Sequence, residues 1–139
     1  MKRFEFLEHT ADEKFLAYGE SVAEAFGNCA LALFKIISND RIALKKTKTF
    51  SLRAEKKETL LYDFLEKLLY WVDVEGFLVG NVKKISITQK EKMYFLQVEI
   101  EGDSAEGYDI KSQVKAVTYK DMFIKESPKK WVIQVVVDI

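Results

Sequence analysis

The run Trp131–Ile139 constrains the fold of this chain more than any other segment. It reads WVIQVVVDI and contains three consecutive valines, Val135 to Val137. β-branched residues favour strands, and a strand without polar alternation is typically buried on both of its faces. We therefore predict a strand at the centre of a sheet, with the rest of the chain folded around it.

The remaining apolar patterns predict two helices and six further strands. Nothing in the 139 residues resembles a linker, a repeat or a low-complexity stretch, so we expect one domain spanning residues 1–139. The order β-β-α-β-α-β-β-β-β predicts an α+β fold, with a mixed or antiparallel sheet and two helices packed on one face. We expect the helices at 21–38 and 58–76, and the other strands at 3–9, 14–19, 47–54, 77–89, 93–102 and 114–127.

The first helix carries the clearest local signals. Ser21 and Glu24 form the pattern of a capping box at its start, and apolar residues then recur at every third or fourth position. Cys29 falls on this apolar face, and no acid–base partner lies near it in the sequence. We therefore expect a buried, unreactive thiol.

Charge and composition exclude several classes of protein. The 22 basic and 22 acidic residues balance, which argues against a nucleic-acid binder that works through bulk charge. A single cysteine rules out an internal disulfide. Because there is no signal-peptide pattern and no apolar run of about 18 residues, we expect a cytoplasmic protein without a membrane partner.

The common catalytic signatures are missing from the sequence. It contains no glycine-rich phosphate loop, no paired cysteine or histidine spacing for a metal, and no G-x-S-x-G motif. His9 is the single histidine and Cys29 the single cysteine, and 20 positions separate them. We therefore expect no catalytic residues and a protein that is not an enzyme.

Acidic groups lie at the ends of two predicted strands. Asp12 stands between the first two strands, and Asp138 and the main-chain carboxylate of Ile139 end the last one. If these ends are adjacent, up to three carboxylates converge, repel one another, and are stabilised by a bound cation. Oxygen ligands favour Ca²⁺, Mg²⁺ or Mn²⁺ over zinc. The alternative is that both are ordinary solvated aspartates at turns.

Five short motifs, in this order along nearly the whole chain, resemble the archease family. They are EHTAD, EAF, ALALF, KAVTY and VVVDI, at Glu8–Asp12, Glu24–Phe26, Ala30–Phe34, Lys115–Tyr119 and Val135–Ile139. The resemblance implies a compact α+β domain with an SHS2-like module. It also implies a protein cofactor that assists an RtcB-type RNA ligase, which joins tRNA exon halves in splicing.

The resemblance further implies what the protein does for the ligase. It would promote guanylylation and multiple turnover of the ligase, and would meet tRNA only indirectly. It would bind a divalent cation, with Ca²⁺ expected and Mg²⁺ or Mn²⁺ as alternatives. The family's essential acids correspond to Asp12 and Asp138, with the terminal carboxylate of Ile139 as a third ligand.

The sequence departs from the family pattern at two positions. Glu13 stands where the family often has an apolar residue, so it either enlarges the acidic cluster or points to solvent. Lys120 stands where the family often has a histidine. Lys115 matches its motif, and it would neutralise the carboxylates, contact the ligase, or simply lie on a strand surface. Glu13, His9 and Lys115 are therefore additional candidates for the site.

Two other functions stay open on the sequence alone. A metal-dependent hydrolase would use the same carboxylates and would need a general base near pH 7, for which His9 is the suitable residue. An RNA- or protein-binding scaffold could instead modulate a tRNA-modifying enzyme such as a methyltransferase. Intrinsic phosphatase or nuclease activity would favour the hydrolase, and tight, salt-dependent tRNA binding would favour the scaffold.

Overall fold

A computed structural model describes residues 1–8 and 12–139 of the protein. The order of its elements agrees with the predicted order. The strands are β1 (Phe4–Leu7), β2 (Glu13–Gly19), β3 (Lys46–Ala54), β4 (Phe77–Lys90), β5 (Met93–Ser104), β6 (Ala116–Glu126) and β7 (Trp131–Asp138). The helices are α1 (Val22–Ile37) and α2 (Lys57–Tyr70), and α2 continues into a π-helical turn, Trp71–Glu75.

The strands form two antiparallel sheets. One has the order β1-β2-β7-β6 and the other the order β3-β5-β4. The predicted α+β class and antiparallel pairing are confirmed, but the strands that we assigned to one sheet are divided between two. The last four strands form two separate hairpins, β4 with β5 and β6 with β7, and the segment 105–115 crosses between the sheets.

The extent to which α1 is buried explains why a second sheet is needed. Eleven of its 16 residues are buried, which is more than one helix face. It contacts β2 and β7 of the four-stranded sheet and β4 of the three-stranded sheet. A helix that is apolar around most of its circumference needs apolar partners on more than one side. α2 likewise contacts both sheets, through β6 and through β3 and β5.

Local signals set the ends of the helices. The Ser21 hydroxyl accepts a hydrogen bond from the Glu24 amide at 3.1 Å, and the Glu24 carboxylate accepts one from the Glu20 amide at 3.1 Å. These bonds satisfy two amides at the start of α1. Gly76 ends the π-helical turn with φ 61°, in the left-handed region where glycine is favoured.

The central position of β7 is confirmed. β7 lies between β2 and β6, and Val135, Val136 and Val137 are completely buried. Buried side chains from both sheets and both helices form one hydrophobic cluster. None of the helices that the described residues form has the length and apolarity that a membrane crossing requires.

Cys29 is completely buried in this core, and burial raises the pKa of its thiol. We expect Cys29→Ala to fold and to keep full activity, at a cost of roughly 1–2 kcal/mol because only one small apolar group is lost. Urea denaturation and a functional assay on the same preparation check this. A folded variant without activity would show that the thiol has a role beyond packing.

Tyr18 links β2 to the edge strand β1, because its hydroxyl donates a hydrogen bond to the Glu5 carboxylate. Burial, and then this bond, raise the pKa of Tyr18 from an ordinary 10.0 to about 12. A raised folded-state pKa means that the stabilising contribution is full below pH 10 and is lost as pH rises through about 12.

We therefore expect wild type to lose stability between about pH 10 and 12 more steeply than Tyr18→Phe, which has no phenol to ionise there. Urea midpoints measured at intervals over this pH range give the comparison. Parallel curves for the two proteins would contradict the assigned linkage, since every other alkaline group is common to both.

Candidate acidic site at the sheet end

The pairing of β2 with β7 determines where the predicted acidic residues lie. Its register places Phe15 opposite Val135, and the last pair is Glu13 with Val137. Asp12 precedes that pair on one strand and Asp138 follows it on the other. Continued by one residue, this register puts the two aspartates opposite each other, at the same end of the sheet.

Strand alternation determines which side chains share a face. Phe15, Val135 and Val137 are completely buried core residues. Glu13 shares the face of its partner Val137, whereas Asp12 and Asp138 share the opposite face. The enlarged acidic cluster that Glu13 could have formed is therefore not supported by the register, and the departure at Glu13 lies on the other side of the strand.

The start of β6 fixes the backbone of Asp138 from the other side. Ala116 lies opposite Asp138 in the register, and the Lys115 amide donates a hydrogen bond of 2.8 Å to the Asp138 carbonyl. Lys115 therefore lies at the same sheet end as the aspartates and holds this end through its main chain. Its side chain is exposed.

A wide bulge in β6 was not predicted from the sequence. Thr118 lies opposite Val136 and Phe123 opposite Gln134, so residues 119–122 face Val135 alone. Asp121 has φ 54°, and its carbonyl accepts a hydrogen bond of 2.7 Å from the Gln134 side chain. Lys120, the second departure from the family pattern, lies in this bulge.

The bulge also contacts β2. The Lys14 ammonium lies 3.4 Å from the Asp121 carboxylate, and the side chain of Lys14 is 19% exposed. Lys14 is two residues from Asp12 and shares its face of the sheet. A cation thus stands beside the acidic pair but is paired with the bulge.

Two residues of α2 contact β6 next to this end. The Glu66 carboxylate accepts a hydrogen bond of 2.8 Å from the Val117 amide. The ring of Tyr62 stacks on that of Tyr119, with centroids 4.5 Å apart and an interplanar angle of 11°. Neither contact was predicted from the sequence, although Tyr62 and Glu66 have the i, i+4 spacing of neighbours on one helix face.

The remaining predicted site residues are placed as follows. Ile139 follows Asp138 directly and is 42% exposed. His9 lies outside the described residues. Among residues 1–8 and 12–139, no group of three histidine, cysteine or acidic side chains is arranged to hold a metal ion. The site residues and the cation stay predictions.

A surface cavity lies away from the acidic end. It measures about 580 Å³ and is formed by the second half of α1, the loop after it and the start of β4. Phe34, Arg41 and Val79 are among its lining residues, and none of the predicted site residues that the structure describes lines it. The acidic pair is therefore a surface feature separate from this cavity.

The sequence matches a known family over nearly its whole length. The family model described as "Archease protein family (MTH1598/TM1083)" matches residues 4–139. The chain belongs to the archease family. A protein archease from Pyrococcus furiosus is 42% identical over 143 aligned positions that cover 100% of both chains. One from Methanosarcina mazei is 37% identical and covers 99% of this chain and 97% of the relative.

Solved structures agree with this assignment. Protein 1598 of Methanobacterium thermoautotrophicum, known from a solution structure, matches with a TM-score of 0.85 and 32% identity, covering 100% of both chains. A crystal structure from Thermotoga maritima, described as an archease and possible chaperone, matches with a TM-score of 0.62 over 96% of this chain and 94% of that one. At 20% identity, the second match shows the fold alone.

Because Glu13 lies on the other face of the sheet from Asp12 and Asp138, substituting it tests the predicted set of metal ligands. We expect Glu13→Ala to leave any Ca²⁺ affinity of the protein unchanged, because its side chain lies on the opposite face from Asp12 and Asp138. Asp12→Ala is the matched control, one residue away, and should lose affinity. Calorimetric titration with Ca²⁺ measures both. A loss of about tenfold or more in Glu13→Ala would place that carboxylate among the ligands.

Proposed function

We propose that this archease-family protein activates an RtcB-type RNA ligase, promoting its guanylylation and its multiple turnover in joining tRNA exons. The observation that supports the proposal is the register of β2 and β7, whose last pair, Glu13 with Val137, lies next to both Asp12 and Asp138 at one end of the sheet. These are the two positions at which the family resemblance places its essential acids. The protein would act as a helper of the ligase and not as an enzyme.

The chemistry of the site suits a divalent cation. Two carboxylates on one face of adjacent strands repel each other, and a cation between them relieves that repulsion. Every ligand in the predicted set is an oxygen, which favours Ca²⁺, with Mg²⁺ or Mn²⁺ as alternatives. The main-chain carboxylate of Ile139, next to Asp138, is the third proposed ligand.

The neighbouring residues would keep this pair in place. Lys115 holds the main chain of Asp138 through its amide, and the β2 pairing holds the position of Asp12. Lys14 forms an ion pair with Asp121 on the bulge, so its ammonium lies beside the two aspartates as a separate charge. This arrangement supports a preformed pair of carboxylates, which a ligand can use without first ordering the strands.

A bound cation would supply positive charge for the phosphate groups of a nucleotide, which develop negative charge as the nucleotide is transferred. The protein's own residues would hold and orient the carboxylates at the mouth of the ligase's active site. Such a helper needs no substrate pocket of its own. That expectation agrees with a sequence that lacks the common catalytic motifs.

We expect Asp12→Ala and Asp138→Ala each to abolish stimulation of the ligase. The free energy of unfolding of the metal-free protein should change by less than about 1 kcal/mol, since carboxylates near solvent contribute little to stability. The assay measures joined RNA per ligase under multiple-turnover conditions, with nucleotide and metal held constant. Circular dichroism on the same samples establishes that the variants are folded.

Glu55→Ala provides the control, because Glu55 is an exposed acid that follows β3 of the other sheet and lies outside the family motifs. It should stimulate the ligase as wild type does. The proposal fails if folded Asp12→Ala and Asp138→Ala proteins support turnover at the wild-type rate. Phosphatase or nuclease activity of the protein alone, lost in the same two variants, would instead identify a hydrolase.

A further inference from the structure

The stacked pair of Tyr62 and Tyr119 is an ordered aromatic surface. The two rings are nearly parallel, with centroids 4.5 Å apart, and Tyr119 is 52% exposed. The ring of Tyr62 lies partly against the hydrophobic core. The pair therefore presents the ring of Tyr119 to solvent on a support that is anchored in the core.

The charges that α2 places beside this pair are acidic. Glu66 lies one helical turn after Tyr62, and Asp63 follows Tyr62 directly. The pKa of Tyr62 is raised. The negative charge of Glu66 is the largest cause, burial is the next, and Tyr119 and Asp63 follow. Glu66 also accepts the hydrogen bond from the Val117 amide through one of its two oxygens, which fixes its carboxylate beside the stack.

Other aromatic rings of the protein are covered by its own lysines. Lys48 lies over Trp71 at 4.9 Å, and Lys130 lies over Tyr18 at 4.3 Å. Within residues 1–8 and 12–139, no cation–π contact of this kind involves Tyr62 or Tyr119. The stack is thus an aromatic surface with acidic neighbours on α2, and no cation of the described residues lies over either ring.

The bulge of β6 holds Tyr119 in position. Tyr119 is the first of its four residues, and Asp121 within it has φ 54°, a conformation that a non-glycine residue rarely adopts. The Gln134 side chain donates a hydrogen bond to the Asp121 carbonyl, and the Lys14 ammonium pairs with the Asp121 carboxylate. A rigid, preformed aromatic surface loses little entropy when a partner binds.

We propose that Tyr62, Tyr119 and Glu66 bind an arginine side chain of a basic protein partner. A guanidinium is planar and cationic, so it can stack on the Tyr119 ring and pair with the Glu66 carboxylate at the same time. The proposal rests on the proposed function only for the partner's identity, which would be the ligase.

RNA is the competing occupant, because bases also stack on tyrosines. Lys115 precedes β6 and Lys120 follows Tyr119 directly within it, and both would favour RNA. The charges that act on Tyr62 are Glu66 and Asp63, however, and a phosphate beside them would be repelled. The acidic surroundings therefore favour the arginine, and the experiment includes RNA as a separate arm.

The first test titrates the isotopically labelled protein with acetyl-Gly-Arg-Gly-amide and follows the tyrosine ring signals by NMR. We expect the Tyr119 and Tyr62 rings to shift at about 10 mM peptide, and the Lys peptide of the same design to shift them less. Glu66→Gln keeps an oxygen for the Val117 amide but removes the charge, so it should reduce the shift. Unmoved rings with the Arg peptide, or larger shifts with a single-stranded RNA oligonucleotide, would overturn the proposal.

The second test titrates the activator against the ligase and separates its affinity from its maximal effect. Tyr119→Ala should raise the half-saturating concentration about tenfold and leave the plateau unchanged. Tyr119→Phe keeps the ring, and Tyr70→Ala removes an exposed tyrosine outside the pair, so both should behave as wild type. An unchanged half-saturating concentration in Tyr119→Ala would overturn the docking surface.

The two proposals fail in different ways. If wild type does not stimulate the ligase, the proposed function is wrong, and the peptide titration still decides whether the stack binds arginine. If wild type stimulates and Asp138→Ala lowers the plateau, but Tyr119→Ala does not change the half-saturating concentration, the function holds and the arginine proposal is wrong.

Discussion

The antiparallel pairing of β2 with β7 is the interaction on which the rest of the structure depends. It aligns seven residue pairs, from Glu13 with Val137 to Gly19 with Trp131. Its inner face supplies Phe15 and Val135 to the core, against which α1 packs. The two edge strands then add on either side. Since side chains alternate along a strand, a register slip of one residue would turn Asp138 toward the core, so burial of the valines fixes where the acidic pair lies.

Much of this arrangement could be predicted because it depends on residues that are close together in the sequence. The run Val135–Val137 indicated a central strand, and Ser21 and Gly76 marked helix ends, because each depends on neighbouring residues alone. The opposition of Asp12 and Asp138 followed from placing two strand ends together. The family resemblance then suggested a role for them that residue chemistry alone had left as one alternative among several.

The features that could not be predicted depend on contacts between distant segments. Alternation within β4 and β5 shows that each has a buried face, but not that they form a separate sheet with β3 instead of joining β6 and β7. The signal available in the sequence was the set of apolar residues around most of the circumference of α1, since a single sheet covers only one side of a helix. The contact of Glu66 with Val117 joins segments about fifty residues apart, and the bulge of β6 is held by contacts with β7 and β2. No local spacing encodes either feature.

The irregularity of β6 has a consequence for the behaviour of the protein at high concentration. β6 is an edge of the four-stranded sheet, and a regular edge offers a row of free amides and carbonyls on which another chain can add a strand. Here four residues bulge opposite Val135, and the Val117 amide is already bonded to Glu66. The same distortion that positions Tyr119 therefore makes the edge a poor template for aggregation, so that a surface proposed for reversible binding is protected from irreversible strand addition.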